Sequence, residues 1–403
     1  MNPLWNALGN TFFKRLTQGS LHVRYPNSTL KVYGDGSGET IVLHVKHSHF
    51  FKRLFLYGDI GFAESYMDEE FECNDLQGLI SLAITNASSM GTLSEHEKKM
   101  PWFNVMPLFN RMRHALRKNS KTRSQKNISE HYDLSNDFFS LMLDESMMYS
   151  AALFENPQTS LYDAQVRKMD HLAQKLKLKE GMRVLEIGSG WGSMATHLAS
   201  RYGVHVTTLT LSAEQLKHAK ERFKTHDVED RIDILLQDYR DAKGEFDAII
   251  SIEMFEAVGR EYFDVFFKKC ESLLAPHGVM AMQIITMPDH RYDAYCKSTD
   301  FIQKYIFPGG HLPSVAKLKE VTQSQTRLSL QHIETFGQDY AKTLQLWSDN
   351  FHQKLEHVAH LGFDGYFIRM WQMYLAYCEA AFRTRSIDLV QVVFARELNT
   401  KGV

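Results

Sequence analysis

The chain has 403 residues, enough for two or three domains at about 150 residues each. Hydrophobic residues make up 44% and charged residues 23%, the balance of an ordinary globular protein, which excludes a disordered or collagen-like chain. A formal charge of −2 argues against a generally basic nucleic-acid binder, and no apolar run approaches the roughly 20 residues that span a bilayer.

In chain order, Leu4, Leu8, Phe12 and Leu16 recur near helical spacing. Strand-like runs follow at residues 21–25, 30–33 and 40–45, separated by turn residues at Pro26-Asn27 and by the glycine-rich stretch 34–38. An acidic segment at 68–71 then leads into an apolar helix over 76–83. Residues 1–90 are therefore expected to form a small mixed α/β accessory domain, serving membrane association or dimerisation.

Residues 91–130 read as a connector. From 101 to 129 there is no acidic residue, while Arg111, Arg113, Arg117, Lys118, Lys121, Arg123 and Lys126 fall there. Trp102, Val105, Met106, Phe109, Met112 and Leu116 recur through the same stretch at i, i+3 and i+4 spacings. Two readings stay open: an interfacial arm that meets anionic lipid headgroups, or a solvated linker whose apolar side packs on the next domain.

Beyond residue 160, compact apolar runs at 183–187, 204–209, 232–236, 246–251 and 279–284 alternate with helical patterns such as 193–201 and 213–223. Such alternation predicts a parallel sheet covered on both faces. Further strands are expected at 328–333 and 389–394, with long helices at 340–361 and 366–384. The four cysteines show no C-x-x-C pair and the histidines no H-x-x-x-H arrangement, so neither a disulfide framework nor a metal site is expected. No leader is read at the N-terminus, which makes the cytoplasm the expected address.

Val184-Leu-Glu-Ile-Gly-Ser-Gly-Trp-Gly192 joins the first of these strands to a helix. Glycines there let the backbone turn tightly and approach a ligand closely. With four further β/α units behind it, the nonapeptide resembles the cofactor loop of class I S-adenosylmethionine-dependent methyltransferases. That resemblance implies an α/β fold with a seven-stranded, mostly parallel Rossmann-like sheet whose last strand is antiparallel. It also implies a cofactor site built from Tyr149, Ser150, Glu186, Gly188, Gly190, Trp191, Gly192, Thr210, Leu211, Gln215, Asp238, Tyr239 and Arg240, with the Tyr239 ring against the adenine.

Six segments narrow it further: residues 131–139, Met148-Tyr-Ser150, Ser251-Ile-Glu-Met-Phe-Glu-Ala-Val-Gly259, residues 305–314, Asp339-Tyr-Ala-Lys-Thr-Leu344 and residues 369–382. In this order they resemble the cyclopropane fatty acid synthase and mycolic acid methyltransferase family over residues 125–396. The resemblance implies a methyltransferase domain over 131–403, with acyl-chain-binding insertions at about 286–327 and 338–386. It implies methylation of the double bond of unsaturated acyl chains on phospholipids, at the inner leaflet of a membrane, by a peripheral enzyme and possible homodimer. The family's base is a bound bicarbonate, held by positions matching Ala151, Glu256, Gln283, Ile285 and Tyr340.

Here the chain departs from the pattern, with Ala151 where the family has Cys and Gln283 where it has His. Losing the imidazole removes a titratable donor, so either Glu256 or another group is expected to take the proton. The product is then a methylene or methyl-branched chain as readily as a cyclopropane. Two alternatives remain open at this point: a small-molecule N- or O-methyltransferase on the same fold, and a cofactor- and lipid-binding protein with weak turnover.

Overall fold

The computed structural model describes residues 3–90 and 135–396. The basic connector, and with it Arg111, Arg113, Arg117, Lys118, Lys121, Arg123 and Lys126, lies outside the described residues, as do positions 131–134 of the first family segment. The chain forms two compact units that do not follow chain order. One contains the described part of Met1–Leu116 with Asp293–Ile306 and Trp347–Ser386; the other contains the described parts of Arg117–Tyr292 and Ile387–Val403 with Phe307–Leu346.

The first unit is built on four strands, β1 (Ser20–Arg24), β2 (Leu30–Gly34), β3 (Thr40–Val45) and β4 (Phe71–Cys73), in the order β2-β1-β3-β4. β1 runs parallel to β3, and the other pairings are antiparallel. Alternation along β3 buries Ile41, Leu43 and Val45 against Phe50, Phe51 and Phe71. Helix His49–Met67, which the sequence reading leaves unassigned, packs on this face and is kinked at Gly58, where φ is +58°. Helix Gly365–Arg383 joins the unit through Arg369, whose guanidinium lies 3.9 Å from the Tyr66 ring centroid and donates to the carbonyls of Tyr66 and Phe71.

The second unit holds seven strands: β5 (Arg183–Ile187), β6 (His205–Thr210), β7 (Ile232–Leu236), β8 (Phe246–Ile252), β9 (Leu274–Thr286), β10 (Leu328–Thr335) and β11 (Asp388–Arg396). Their order is β10-β11-β9-β8-β5-β6-β7, with β11 antiparallel to both neighbours and β5 to β9 parallel among themselves. This is the expected α/β sheet of the class I methyltransferases. Both faces are covered, as buried parallel strands require. Helix Phe263–Leu273 buries Phe263, Phe266, Phe267, Cys270 and Leu273, the i, i+3, i+4, i+7 stripe of one helix face. The three rings pack around Phe255, Phe263 stacked on it at a centroid distance of 4.5 Å and Phe266 edge-on, and each fully buried ring contributes about 1.5–3 kcal/mol. On the other face Met194, Ala195 and Leu198 of helix Ser193–Tyr202 meet Ala219 and Phe223 of helix Ala213–Thr225.

Glu186 on β5 lies opposite Thr208 on β6, and the Thr208 hydroxyl donates to its Oε2 at 2.5 Å. Burial pushes this carboxyl up to about 8, against the pull of that hydrogen bond. A folded pKa above the unfolded one means that the native state holds the extra proton, so stability falls as pH rises from about 4.5 towards 8. Glu186→Gln keeps an acceptor for Thr208 and removes the titration. Across that pH window, urea unfolding should show the variant gaining on the parent by roughly 1.4 kcal/mol per unit of pH. Parallel stability curves for parent and variant between pH 5 and 8 would contradict this.

Candidate active site

The carboxyl ends of β5 to β9, the segment before helix Leu161–Lys175 and the start of helix Gly337–Gln353 supply the residues singled out from the sequence. After β5 the chain turns through Gly188, Gly190 and Gly192, with φ of +100°, +49° and +89°. All three lie where L-residues are strained, yet their surroundings differ. A Cβ at Gly192 would come within 2.7 Å of the Phe223 ring and 2.9 Å of Ala219, so this glycine lets two helices close on each other. A Cβ at Gly190 would meet nothing within 4 Å. The loop therefore presents bare backbone to open space just before the N-terminus of helix Ser193–Tyr202, where dipole and free N–H groups favour an anionic group. That arrangement fits S-adenosylmethionine, whose carboxylate such a helix end would hold.

The rest of the proposed cofactor set divides. Trp191 is buried, donates to Asn136 at 2.6 Å and packs on Phe139, which in turn meets Tyr149. Thr210 donates to Gln215 at 2.9 Å and accepts from the Ser212 N–H, tying the end of β6 to the next helix. Leu211 between them is half-buried. Asp238 binds Arg240 through both oxygens, at 2.8 and 2.6 Å. Two expectations need correction. The Glu186 carboxyl is spent on Thr208 inside the sheet. The Tyr239 ring, expected against the adenine, packs into the core against Phe266 at 5.2 Å with the Arg240 guanidinium over it.

Three of the five residues expected to hold bicarbonate converge, but on a side chain. Glu253 Oε1 accepts from the Ala151 N–H at 2.9 Å and from Gln283 Nε2 at 2.7 Å, and its Oε2 accepts from the Tyr340 hydroxyl at 2.7 Å. Its own N–H donates to the Gln283 carbonyl. Sequence reasoning missed Glu253, although it lies in the quoted Ser251–Gly259 segment three residues before Glu256. The signal available was a second acid in that segment, in a chain whose Ala151 and Gln283 leave the anion site without the family's Cys and His. Its backbone has φ of +50°. A non-glycine residue there costs on the order of 1 kcal/mol and persists where surroundings over-determine it.

Glu256, expected at the anion, accepts instead from the Ile285 N–H through Oε1 at 2.5 Å, and its Oε2 is buried without a hydrogen-bond partner. Burial, and then the neighbouring Glu253 charge, push it up to about 8, so it is neutral at pH 7. Burial also raises Glu253, while Tyr340, Gln283, the Lys168 charge and the Ala151 N–H pull it back towards the ionised form. Lys168 is fully buried, donates to the Ser150 hydroxyl at 2.6 Å and is lowered to about 7 by desolvation, with Glu253 opposing. These residues do not fit a bicarbonate. The Ala151, Gln283 and Tyr340 donors are already occupied, and a second anion there would face the Glu253 charge in a dry site.

Residues 119–392 match the family described as mycolic acid cyclopropane synthetase, and residues 8–95 match a domain of unknown function. Tuberculostearic acid methyltransferase UfaA1 of Mycobacterium tuberculosis is 37% identical over 399 residues, covering 97% of this chain and 91% of its own. Cyclopropane-fatty-acyl-phospholipid synthase of Escherichia coli (strain K12) is 40% identical over 362 residues, covering 88% of this chain and 87% of its own. Among solved structures, mycolic acid cyclopropane synthase CmaA1 complexed with SAH and CTAB superposes with a TM-score of 0.63 at 32% identity, over 68% of this chain and 98% of that one.

The two glycines predict opposite phenotypes. Gly192→Ala should lower the unfolding free energy by about 1–3 kcal/mol, because overpacking adds to backbone strain. Gly190→Ala should lose only what backbone strain costs, about 1 kcal/mol, and weaken S-adenosylmethionine binding at least about tenfold in calorimetry, one backbone contact being worth about 1.4 kcal/mol. Equal loss of stability in both variants with unchanged affinity would contradict the assignment of Gly190.

Proposed function

The chain belongs to the mycolic acid cyclopropane synthetase family of S-adenosylmethionine-dependent methyltransferases, and on that premise we propose that it methylates a double-bond carbon of an unsaturated acyl chain on a phospholipid, with Glu253 as the base. One observation carries this reading: the three donors expected at the family's bicarbonate grip a carboxylate of the chain itself. The names of its relatives, a tuberculostearic acid methyltransferase and a cyclopropane-fatty-acyl-phospholipid synthase, support an acyl substrate.

Bound S-adenosylmethionine supplies an electrophilic methyl: the alkene π pair forms the new C–C bond as the C–S bond breaks towards sulfur, leaving a cation on the neighbouring carbon. Glu253, ionised and held on both oxygens, stabilises that charge in a dry site and then takes one proton. A proton taken directly from the transferred methyl closes a cyclopropane. If a hydride shift first moves the cation onto the methyl-bearing carbon, loss of a methyl proton leaves a methylene branch instead. Tyr340 and Gln283 keep the carboxylate aimed throughout, and neutral Glu256 adds no second charge. Burial raises the proton affinity of Glu253 above that of an exposed carboxylate, the direction that strengthens a general base.

Tyr149, Ser150, the Gly188–Gly192 loop, Thr210 to Gln215 and the Asp238–Arg240 pair hold the cofactor on this reading. The enzyme meets its lipid from the cytoplasmic side, with the basic run 101–129 at anionic headgroups. No helix among the described residues is long and apolar enough to cross a membrane. Residues 1–90 serve as the accessory domain for this docking or for homodimerisation.

Labelled S-adenosylmethionine and unsaturated phospholipid vesicles test the reading by mass spectrometry of the acyl chains. The parent should add one CH₂ unit, with fragmentation separating ring from branch. Glu253→Gln should bind the cofactor normally and lose at least about a hundredfold in kcat, the scale of a general base. Label on a polar metabolite and none on acyl chains would favour the small-molecule alternative, and cofactor binding without any turnover would favour the binding protein. An active Glu253→Gln would remove Glu253 from the mechanism.

A further inference from the structure

Behind Glu253 a row of side chains runs across the sheet to the surface. Gln283 on β9 faces Gln391 on β11, and Gln391 faces Glu334 on β10. Gln391 Nε2 donates to Gln283 Oε1 at 3.0 Å, and both amides are about 1% exposed. Gln391 Oε1 lies 2.7 Å from His171 Nδ1, on helix Leu161–Lys175. The His171 side chain is 29% exposed, with Glu334 3.5 Å from its Nε2. Lys175 Nζ, one turn on, donates to Glu334 at 2.6 Å and also lies 2.9 Å from His171 Nδ1 and 3.2 Å from Nε2, so the contact to Gln391 is the shortest that Nδ1 makes.

An amide has a carbonyl end and an NH₂ end, so a line of two amides has a direction. With His171 Nδ1 donating, Gln391 must turn its NH₂ towards Gln283, and Gln283 must turn its own NH₂ towards Glu253 and the Ala151 carbonyl. Reversed, the line would point the Gln283 carbonyl oxygen at the Glu253 carboxylate, acceptor against acceptor in a buried site. Only one direction is compatible with an ionised Glu253, and its outer end is set at His171.

We propose that Gln391 and His171 are positioning residues for the base, fixing the Gln283 amide so that it donates to Glu253. This rests on Glu253 being the base. Neither residue touches substrate or cofactor; they act through Gln283. The groups that face Glu253 directly are Tyr340, Gln283, Lys168 and Glu256, and those that face His171 are Gln391, Lys175, Glu334 and the Phe336 ring. The inner partners tune the base, while the outer ones hold the orienting ring.

The test compares His171→Phe, which keeps an aromatic ring beside Phe336 and loses the donor, with His171→Asn, whose side-chain NH₂ can replace Nδ1–H. Gln391→Met cuts the buried link at similar volume. His171→Phe and Gln391→Met should each lower kcat about tenfold, the scale of one hydrogen bond, with KM for cofactor and lipid unchanged. Both should move the acidic limb of the kcat profile to higher pH, because an unaided carboxylate binds its proton more tightly. His171→Asn should return rate and limb towards the parent. An unmoved limb in both His171→Phe and Gln391→Met, or a His171→Asn as impaired as His171→Phe, would overturn the inference whatever happens to melting temperature. Glu253→Gln, assayed alongside, separates the two claims. If it is inactive while the limbs stay put, positioning alone fails; if it is active, the base assignment fails.

Discussion

A buried carboxylate needs either a proton or enough donors to stay charged, and the Glu253 site is arranged around the second solution. The Ala151 N–H, the Gln283 amide and the Tyr340 hydroxyl reach it from three separate elements, and Lys168, lowered to about 7 by desolvation, favours the charged carboxylate when itself protonated. The arrangement constrains its surroundings in turn. Glu256, nearby, is pushed towards its neutral form and anchors the Ile285 backbone. The backbone at Glu253 accepts a left-handed turn. Strain and desolvation of this kind gather at functional sites.

The sheet makes this convergence possible. Parallel strands β5, β6, β8 and β9 end on one edge, so the glycine loop after β5 and the Glu253 turn after β8 open on the same side. Antiparallel β11, inserted between β9 and β10, brings Gln391 level with Gln283. The glycine loop and the Glu253 turn are thus placed by the same sheet, and a one-residue slip of β11 would turn Gln391 to the opposite face.

Much of this fold was legible in the sequence because its causes are local. Residues 183–187 and 232–236 are strands at the positions read: the first is a short, mostly apolar run buried inside the sheet, and the second, on the sheet edge, still carries the β-branched and apolar residues that favour an extended chain. The glycine loop was legible for the same reason, as tight turns need residues that tolerate positive φ. Where local signals are mixed the reading fell short. β9 begins at Leu274, before Pro276 and His277, and the expected single helix at 340–361 breaks at Lys354 into Gly337–Gln353 and Leu355–His360. Helix His49–Met67 hides its period behind a run of aromatics and two glycines. Glu253 was illegible for a deeper reason. Its partners lie 102, 30 and 87 residues away in sequence, so its role exists only after the sheet has formed.

Chemical rescue asks most directly whether a carboxylate of the chain has replaced a bound anion as the base. Glycine suits the backbone at 253, so Glu253→Gly should fold and leave the Ala151, Gln283 and Tyr340 donors without their carboxylate. Turnover of Glu253→Gly should then be negligible in bicarbonate-free buffer and return saturably as bicarbonate is added, while the parent ignores bicarbonate throughout. A parent enzyme stimulated by bicarbonate, or a Glu253→Gly fully active without it, would contradict the replacement.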